Sequence, residues 1–173
     1  MRRIAQLAVS SLLVASAALA APAGAGAAGC SGANSLGPNA THATLCLLNA
    51  QRRAHGLRAL HLDGRLSRAA AGHANDMVAQ HYFGHNSRSG ASFGVRIKRT
   101  GWTRARRSYT IGENIGWGGG DFATPRAMVN AWMHSSGHRA NILARQFRMI
   151  GIGIANGAPT GGDGATYATD FGG

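Results

Sequence analysis

The chain has 173 residues and a formal net charge of +12 at pH 7, and arginine supplies 17 of its 18 basic residues. This length excludes two ordinary domains but is sufficient for one domain with its own core. Guanidinium groups stay charged at every accessible pH, so the composition favours anionic partners: nucleic acid, anionic lipid head groups or acidic envelope polymers. An arginine-rich surface that only maintains solubility is the alternative interpretation.

The N-terminus has the pattern of a secretory signal. Arg2 and Arg3 precede an uncharged run from Ile4 to Ala20, whose last three residues suit signal peptidase. This run is alanine-rich and shorter than the roughly 20 strongly apolar residues that a membrane-spanning helix needs. The next residues are Ala, Gly, Ser, Pro and Asn, which cannot build a core. We predict a signal peptide (1–20), a flexible linker (21–39) and one folded domain (40–173) in a protein that is secreted, extracellular or periplasmic.

Two cysteines, Cys30 and Cys46, lie beyond the predicted signal. An even cysteine count in an exported chain favours a disulfide between them. The alternative is a lipid-modified Cys30, which we disfavour because the apolar run ends well before it.

Four helices are predicted from their apolar spacing and their capping residues. In the second helix the stripe of Leu66, Ala70, His73 and Met77 marks a buried face, so His73 is interpreted as a core histidine and not as a ligand. The predicted helices are Thr41–His55, one that begins after the N-cap Asp63, one from Ser92 to Gly101, and one from Thr124-Pro125 to about Ser135, where Gly137 stops it.

Two strands are predicted near the C-terminus. Ile150, Ile152 and Ile154 alternate with glycines, which places a close neighbour on the glycine side. Residues 166–171 read as the antiparallel partner of this strand. Helices early and strands late predict mixed α and β layers and not a parallel wound sheet.

A candidate site centres on Glu113, the single glutamate of the chain, in a glycine-flanked run (112–118) without helical or strand period. Polar residues at 81–85 and at 136–141 bracket it, so a compact fold could bring His85, Glu113 and His138 together. Two histidines and a carboxylate are compatible with a metal site that keeps one position open, with Zn²⁺ favoured over Mg²⁺. The alternative is that these three side chains only tie loops together by hydrogen bonds.

A second candidate is a basic patch around Trp102 that would bind anionic surfaces. Interleaved aromatic residues suit single-stranded nucleic acid, but no recognition motif accompanies them, so sequence-specific nucleic-acid binding is not expected and Trp102 is predicted to turn inward. The patch consists of Arg96, Lys98, Arg99, Arg104, Arg106 and Arg107.

Several of these runs resemble the bacterial, SCP-like branch of the CAP superfamily, which takes in cysteine-rich secretory proteins, antigen 5 and pathogenesis-related 1 proteins. The resemblance implies a three-layer α-β-α sandwich of the α+β class with a central, mainly antiparallel sheet. The matching runs are His-Tyr-Phe-Gly-His at 81–85, Gly-Glu-Asn-Ile at 112–115, Gly-His-Arg-Ala-Asn-Ile-Leu at 137–143, Gly-Ile-Gly-Ile at 151–154 and Asp-Phe-Gly at 170–172.

The resemblance also implies a site of two histidines and two glutamates in a central cleft. His85, Glu113 and His138 match three of these positions, whereas Ser135 occupies the fourth. We therefore expect a monomeric secreted binding module for lipid, sterol or envelope ligands, with a divalent-cation site in its cleft. The alternative is a metal-dependent hydrolase of an envelope polymer, peptide or nucleic acid, in which Glu113 acts as base on a metal-bound water.

Overall fold

The computed structural model describes residues 29–104 and 106–173, so the predicted signal peptide lies outside the described residues. Five α-helices and four β-strands account for most of this part of the chain. In chain order they are α1 (Ala40–Ala54), β1 (His61–Leu62), α2 (Gly64–Ala79), α3 (Phe93–Arg99), β2 (Ile111–Gly118), α4 (Pro125–Met133), α5 (Ser136–Leu143), β3 (Met149–Asn156) and β4 (Ala165–Gly172).

The four strands form one sheet between two helical layers. The strand order is β1-β3-β4-β2, with β4 antiparallel to both of its neighbours and the short β1 parallel to β3. Helix α2 covers β3 and β4 on one face together with α3, and α1, α4 and α5 cover the other face. The predicted α-β-α sandwich with a mainly antiparallel sheet is confirmed.

Helix α2 packs directly on the backbone of β3. A Cβ atom added to Gly151 would lie 2.0 Å from the carbonyl carbon of Leu66, and one added to Gly153 would lie 2.3 Å from the amide nitrogen of Ala71. The close neighbour predicted on the glycine side of this strand is therefore α2. The helix starts at the predicted N-cap Asp63, whose side chain accepts hydrogen bonds from the first-turn amides.

The opposite face of the sheet carries the larger core. Ile150 and Ile152 of β3 pack there with Tyr167 and Phe171 of β4, and Trp132 of α4 contacts Tyr167 edge to face. The predicted isoleucine face of β3 thus points toward the layer that contains α1, α4 and α5. None of the helices formed by the described residues is both long enough and apolar enough to cross a membrane.

The segment 29–39 differs from the predicted flexible linker. It forms a series of turns in which Cys30 and Ala33 are buried in the core. The predicted disulfide is confirmed, since Cys30 is bonded to Cys46 of α1. The amide of Arg126 also donates to the Ala33 carbonyl, so the disulfide and this bond hold small residues against the domain that could not form a core by themselves.

The structure has three elements that were not predicted: the two-residue strand β1, strand β2 and helix α5. Residues 111–118, for which no period was evident, form strand β2, because the strand lies between the two helical layers and is buried along most of its length on both faces. Gly137 does not stop helical structure: α4 ends at Met133, and a new helix, α5, begins after Ser135 with Gly137 in its exposed first turn.

Candidate functional site

Strand β2 is an edge of the sheet, and the two helical layers meet there over Glu113. His85 lies in the loop between α2 and α3, and its Nδ1 is 2.8 Å from Oε1 of Glu113. Because a carboxylate only accepts hydrogen bonds, His85 donates from Nδ1 and keeps Nε2 for the cleft, where its side chain is 52% exposed.

His138 reaches the cleft from the other layer. Its Nδ1 is 2.9 Å from the hydroxyl of Ser135. Burial lowers the pKa of His138, and the neighbouring charge of His85 lowers it further. The structure therefore places His85 and Glu113 in direct contact, with His138 close by but bonded to a different partner.

Arg96 is the second partner of Glu113. Its Nη2 is 2.5 Å from Oε2, and the two side chains are 9% and 0% exposed. The Nη1 atom of Arg96 also donates to the carbonyls of His85 and Ala91, both at 2.9 Å. Arg96 thus fixes the loop that presents His85.

This position corrects the assignment of Arg96 to the basic patch. The arginine turns inward because the buried carboxylate of Glu113 needs a cation. Arg106 is also partly buried and lies 3.9 Å over the ring of Trp102, which is buried as predicted. The exposed members of the patch are Lys98, Arg99, Arg104 and Arg107.

Asp170 is a third buried ionisable side chain, which the sequence-based site did not include. It pairs with Glu113 across β2 and β4, so both side chains lie on the same face of the sheet. Asp170 is fully buried, and within the described part of the chain no donor reaches either of its carboxylate oxygens. Burial raises the pKa of Asp170, the charge of Glu113 raises it further, and Arg96 opposes the shift.

Two carboxyl groups and one guanidinium therefore share this interior. A proton held on Asp170 would balance the cluster and would allow Asp170 to donate to Glu113. The sequence signal for Asp170 is the alternation of residues in β4. This alternation places Asp170 on the face of the sheet that carries Gly151 and Gly153. Its partner could be identified only once the register with β2 was known.

His73 is a core histidine, as predicted. It is fully buried on α2, and its Nε2 is 2.9 Å from the carbonyl of Gly84, next to His85. Burial lowers the pKa of His73, and the charge of Arg96 adds to the effect. Its neighbour Tyr82 donates to Asp76, and burial together with this bond raises the pKa of Tyr82 to about 12.

Side chains of the α4–α5 layer hold the backbone of β2. Asn141 donates from Nδ2 to the carbonyl of Glu113 at 3.1 Å and to Oδ1 of Asn114 at 2.8 Å. Asn114 donates to the carbonyl of His138 at 3.0 Å, and the indole of Trp132 donates to the carbonyl of Ile115 at 3.1 Å. These bonds fix α5, and therefore His138, relative to Glu113.

An apolar groove of about 450 Å³ runs from this polar cluster along β2 and α4. Its polar end is formed by Ser135 and His138, and at its rim Phe122 is 76% exposed. The remaining lining is Phe83, Ile115, Gly116, Trp117, Ala127, Met128, Ala131 and Trp132.

The three predicted ligands do not fit a preformed metal centre. Both oxygens of Glu113 are engaged, and Arg96 already supplies the positive charge that a cation would bring. Among residues 29–104 and 106–173 no three His, Cys, Asp or Glu side chains are grouped so as to hold a metal ion. Divalent-cation binding by His85, Glu113 and His138 stays a prediction.

Relatives of known sequence or structure cover most of the folded part of the chain. YkwD of Bacillus subtilis (strain 168) is 40% identical over 114 residues, which is 62% of this chain and 39% of that protein. A membrane protein of the same organism, YlbC, is 32% identical over 110 residues, or 64% of this chain and 30% of that protein. The chain thus spans less than half the length of the curated relatives it matches.

Solved structures show the same architecture. An extracellular protein of Bacillus anthracis that contains an SCP domain superposes with a TM-score of 0.63 at 27% identity, over 79% of this chain and 43% of that one. An outer surface protein of Borrelia burgdorferi superposes with a TM-score of 0.58 at 19% identity, over 72% and 85% of the two chains, and supports the fold alone. The model of the cysteine-rich secretory protein family, CAP, matches residues 45–169. The chain therefore belongs to the CAP family.

Proposed function

We propose that this protein is a secreted binding module that takes the apolar part of a lipid, sterol or related envelope ligand into the groove between β2 and α4. The observation that carries the proposal is the groove itself. Its volume lies in the range of small-molecule sites, and apolar side chains form most of its lining. The predicted export signal, the disulfide and the extracellular relatives support a role outside the cell.

The rim of the groove supports an amphiphilic ligand. Phe83, Trp117 and Phe122 are large apolar side chains exposed on a strongly basic protein, and all three line the groove. Exposed apolar side chains that adjoin one another mark binding sites more often than isolated ones do. At the other end, Ser135 and His138 offer a hydroxyl and an imidazole to a polar head group.

The test uses cis-parinaric acid and a fluorescent sterol as probes. Ala131 is exposed and lines the groove, so Ala131→Phe should fill it without disturbing the core. The added ring should displace a part of the probe about as large as one apolar side chain. Burial of such a group contributes about 1.5–3 kcal/mol to binding, so the dissociation constant of a probe should rise about tenfold or more. Fluorescence titration measures this change.

Ala140→Phe is the matched control, because Ala140 is an exposed helical alanine outside the groove. It should bind each probe as the parent does. Failure of the parent to bind either probe, or equal binding by Ala131→Phe, would contradict the proposal.

The metal-dependent hydrolase is the alternative, and Zn²⁺-dependent hydrolysis separates it from the binding module, for which a cation in the cleft is also expected. A bound metal at about 100 times its dissociation constant would stabilise the fold by about 2.7 kcal/mol. A rise in the unfolding midpoint with Zn²⁺ that disappears in His138→Ala would support the cation site. Zn²⁺-dependent hydrolysis of an envelope polymer, peptide or nucleic acid that is lost in the same variant would favour the hydrolase. An unchanged midpoint leaves the groove as the site.

A further inference from the structure

Exposed arginines gather at the end of the sheet where β1, β2 and β3 begin and β4 ends. The strand register places His61, Ile111, Met149 and Gly172 together at this end. The connections that enter or leave it, together with the first turn of α2, carry six exposed arginines, which we name the basic end: Arg58, Arg65, Arg104, Arg107, Arg145 and Arg148.

A buried guanidinium holds half of the basic end in place. Arg52 of α1 is fully buried and donates to the carbonyl of Arg58 at 2.8 Å. It also donates to the carbonyls of Ala144 and Phe147, which precede Arg145 and Arg148. Burial lowers the pKa of Arg52, and the charge of Arg148 lowers it further. The backbone carbonyls that Arg52 binds therefore fix the segments that carry Arg58, Arg145 and Arg148. No carboxylate takes part in these contacts.

The other half lies around the loop that follows α3. Arg65 donates to the carbonyl of Gly101 at 3.3 Å, and the side chain of Arg104 passes within 3.6 Å of a Cβ placed on Gly101. Arg106 lies over Trp102 and reaches the sulfur of Met149 at 3.5 Å. Since Met149 follows Arg148, Arg106 connects the two halves.

Acidic side chains do not neutralise this array. The chain has six Asp and Glu residues, and only Asp121 and Asp163 are exposed. Both lie in connections at the opposite end of the sheet, where Gly118 pairs with Ala165. Near the basic end, Asp63 uses its side chain to cap α2.

We propose that the basic end binds a soluble, flexible polymer that carries repeated phosphodiester groups. Guanidinium groups match phosphate oxygens in a bidentate geometry, and an array spread over several connections suits a chain that contacts many charges weakly. A membrane surface would also need large apolar side chains for insertion. At this end Leu62 and Tyr109 are the exposed ones among the described residues, and each is less than half exposed.

Poly(glycerol phosphate) is the probe, and its binding is measured against salt concentration. Six phosphate contacts predict a slope of log K on log salt of about −4, or about a 300-fold loss between roughly 50 and 200 mM salt. The basic-end variant Arg145→Ser with Arg148→Ser should bind more weakly, with a slope shallower by about 1.4. Arg52 remains in this variant, so its unfolding midpoint should match that of the parent.

The control removes the same charge elsewhere, with Arg88→Ser and Arg126→Ser, and should keep the parental slope. Equal losses in the two variants would show that net charge alone acts, and would overturn the proposal. A slope near zero would also overturn it. So would binding to phosphatidylglycerol vesicles, lost in the basic-end variant, without binding to the polymer.

Discussion

Gly151 and Glu113 stand at opposite ends of one row of residues across the sheet, and their surroundings differ in kind. Gly151 pairs with Asp170, which pairs with Glu113, so all three positions face the α2 layer. At the β3 end a helix touches the backbone of the strand. At the β2 end a guanidinium and two carboxyl groups fill the same layer. The row shows that one face of a sheet can be closed by steric fit on one strand and by charge on another.

The two ends also differ in what they leave available. Packing of α2 on β3 brings the helix backbone directly against the strand at Gly151 and Gly153. The cluster under Arg96 includes His85, whose Nε2 faces the cleft, and it joins the groove through the neighbouring His138. Both ends contribute to stability, whereas the candidate functional groups lie at the second.

The steric end should be the more sensitive to mutation. In Gly153→Ala the new methyl group would lie 2.3 Å from the backbone of α2, which cannot yield without moving the helix. We expect a loss of more than about 4 kcal/mol, or failure to fold. Denaturant unfolding followed by circular dichroism measures it.

Gly72→Ala provides the comparison, because Gly72 lies on α2 with nothing within 4 Å of the added methyl. The same substitution there should stabilise by about 1 kcal/mol. Losses of similar size in both variants would mean that α2 does not rest on β3 as described.

The charged end should respond next most strongly. Arg96→Leu leaves Glu113 buried without its cation and removes the bonds that fix the His85 loop. Breaking a buried ion pair from one side costs about 3–5 kcal/mol. Denaturant unfolding measures this loss.

The double variant Arg96→Leu with Glu113→Gln should recover part of the loss, since no unpaired charge remains. If the free energy of unfolding of Arg96→Leu alone lies within about 0.5 kcal/mol of the parental value, the ion pair between Arg96 and Glu113 does not hold this end together.

The smallest effect belongs to Asp170 and depends on pH. Because its pKa is raised on folding, the folded state keeps a proton that the unfolded chain has released, so stability falls as pH rises from about 4 toward the folded pKa. Asp170→Asn removes this dependence, because asparagine does not titrate. The change in the free energy of unfolding caused by the substitution should therefore be more favourable at neutral pH than near pH 4, by on the order of 1–3 kcal/mol.

Chemical denaturation of parent and variant at several pH values gives the difference between their free energies of unfolding. The titrations of His73 and His138 cancel in this difference because both proteins contain these histidines. Asp163→Asn, at an exposed site, should show no such trend. A difference that is constant with pH would mean that Asp170 is ionised in the folded protein.

These two ends also mark how far sequence reasoning extends. The alternation of isoleucine and glycine in residues 150–154 predicts both the strand and the close approach of a neighbour, since such a pattern is local. The N-caps Asp63 and Thr124 are local signals too, and the helices begin where they predict. The family resemblance predicts the layers.

The charged cluster depends on contacts that local patterns do not encode. Arg96 lies among other cations in sequence and looked like part of a surface patch, whereas the register of β2 with β4 and the fold of α3 bring it to Glu113 and Asp170. Likewise, β2 escaped detection because burial on both faces removes the alternation that marks a strand.

The bonds that Asn141 and Trp132 make to β2 have a consequence for association between molecules. A sheet edge with unpaired backbone groups is a template for a strand of another chain. Here the carbonyls of Glu113 and Ile115 accept hydrogen bonds from those two side chains, and the helices that carry them cover the edge. Local opening of α4 and α5 would uncover a glycine-rich strand with isoleucine and tryptophan, so resistance to aggregation rests on how firmly these two short helices stay closed.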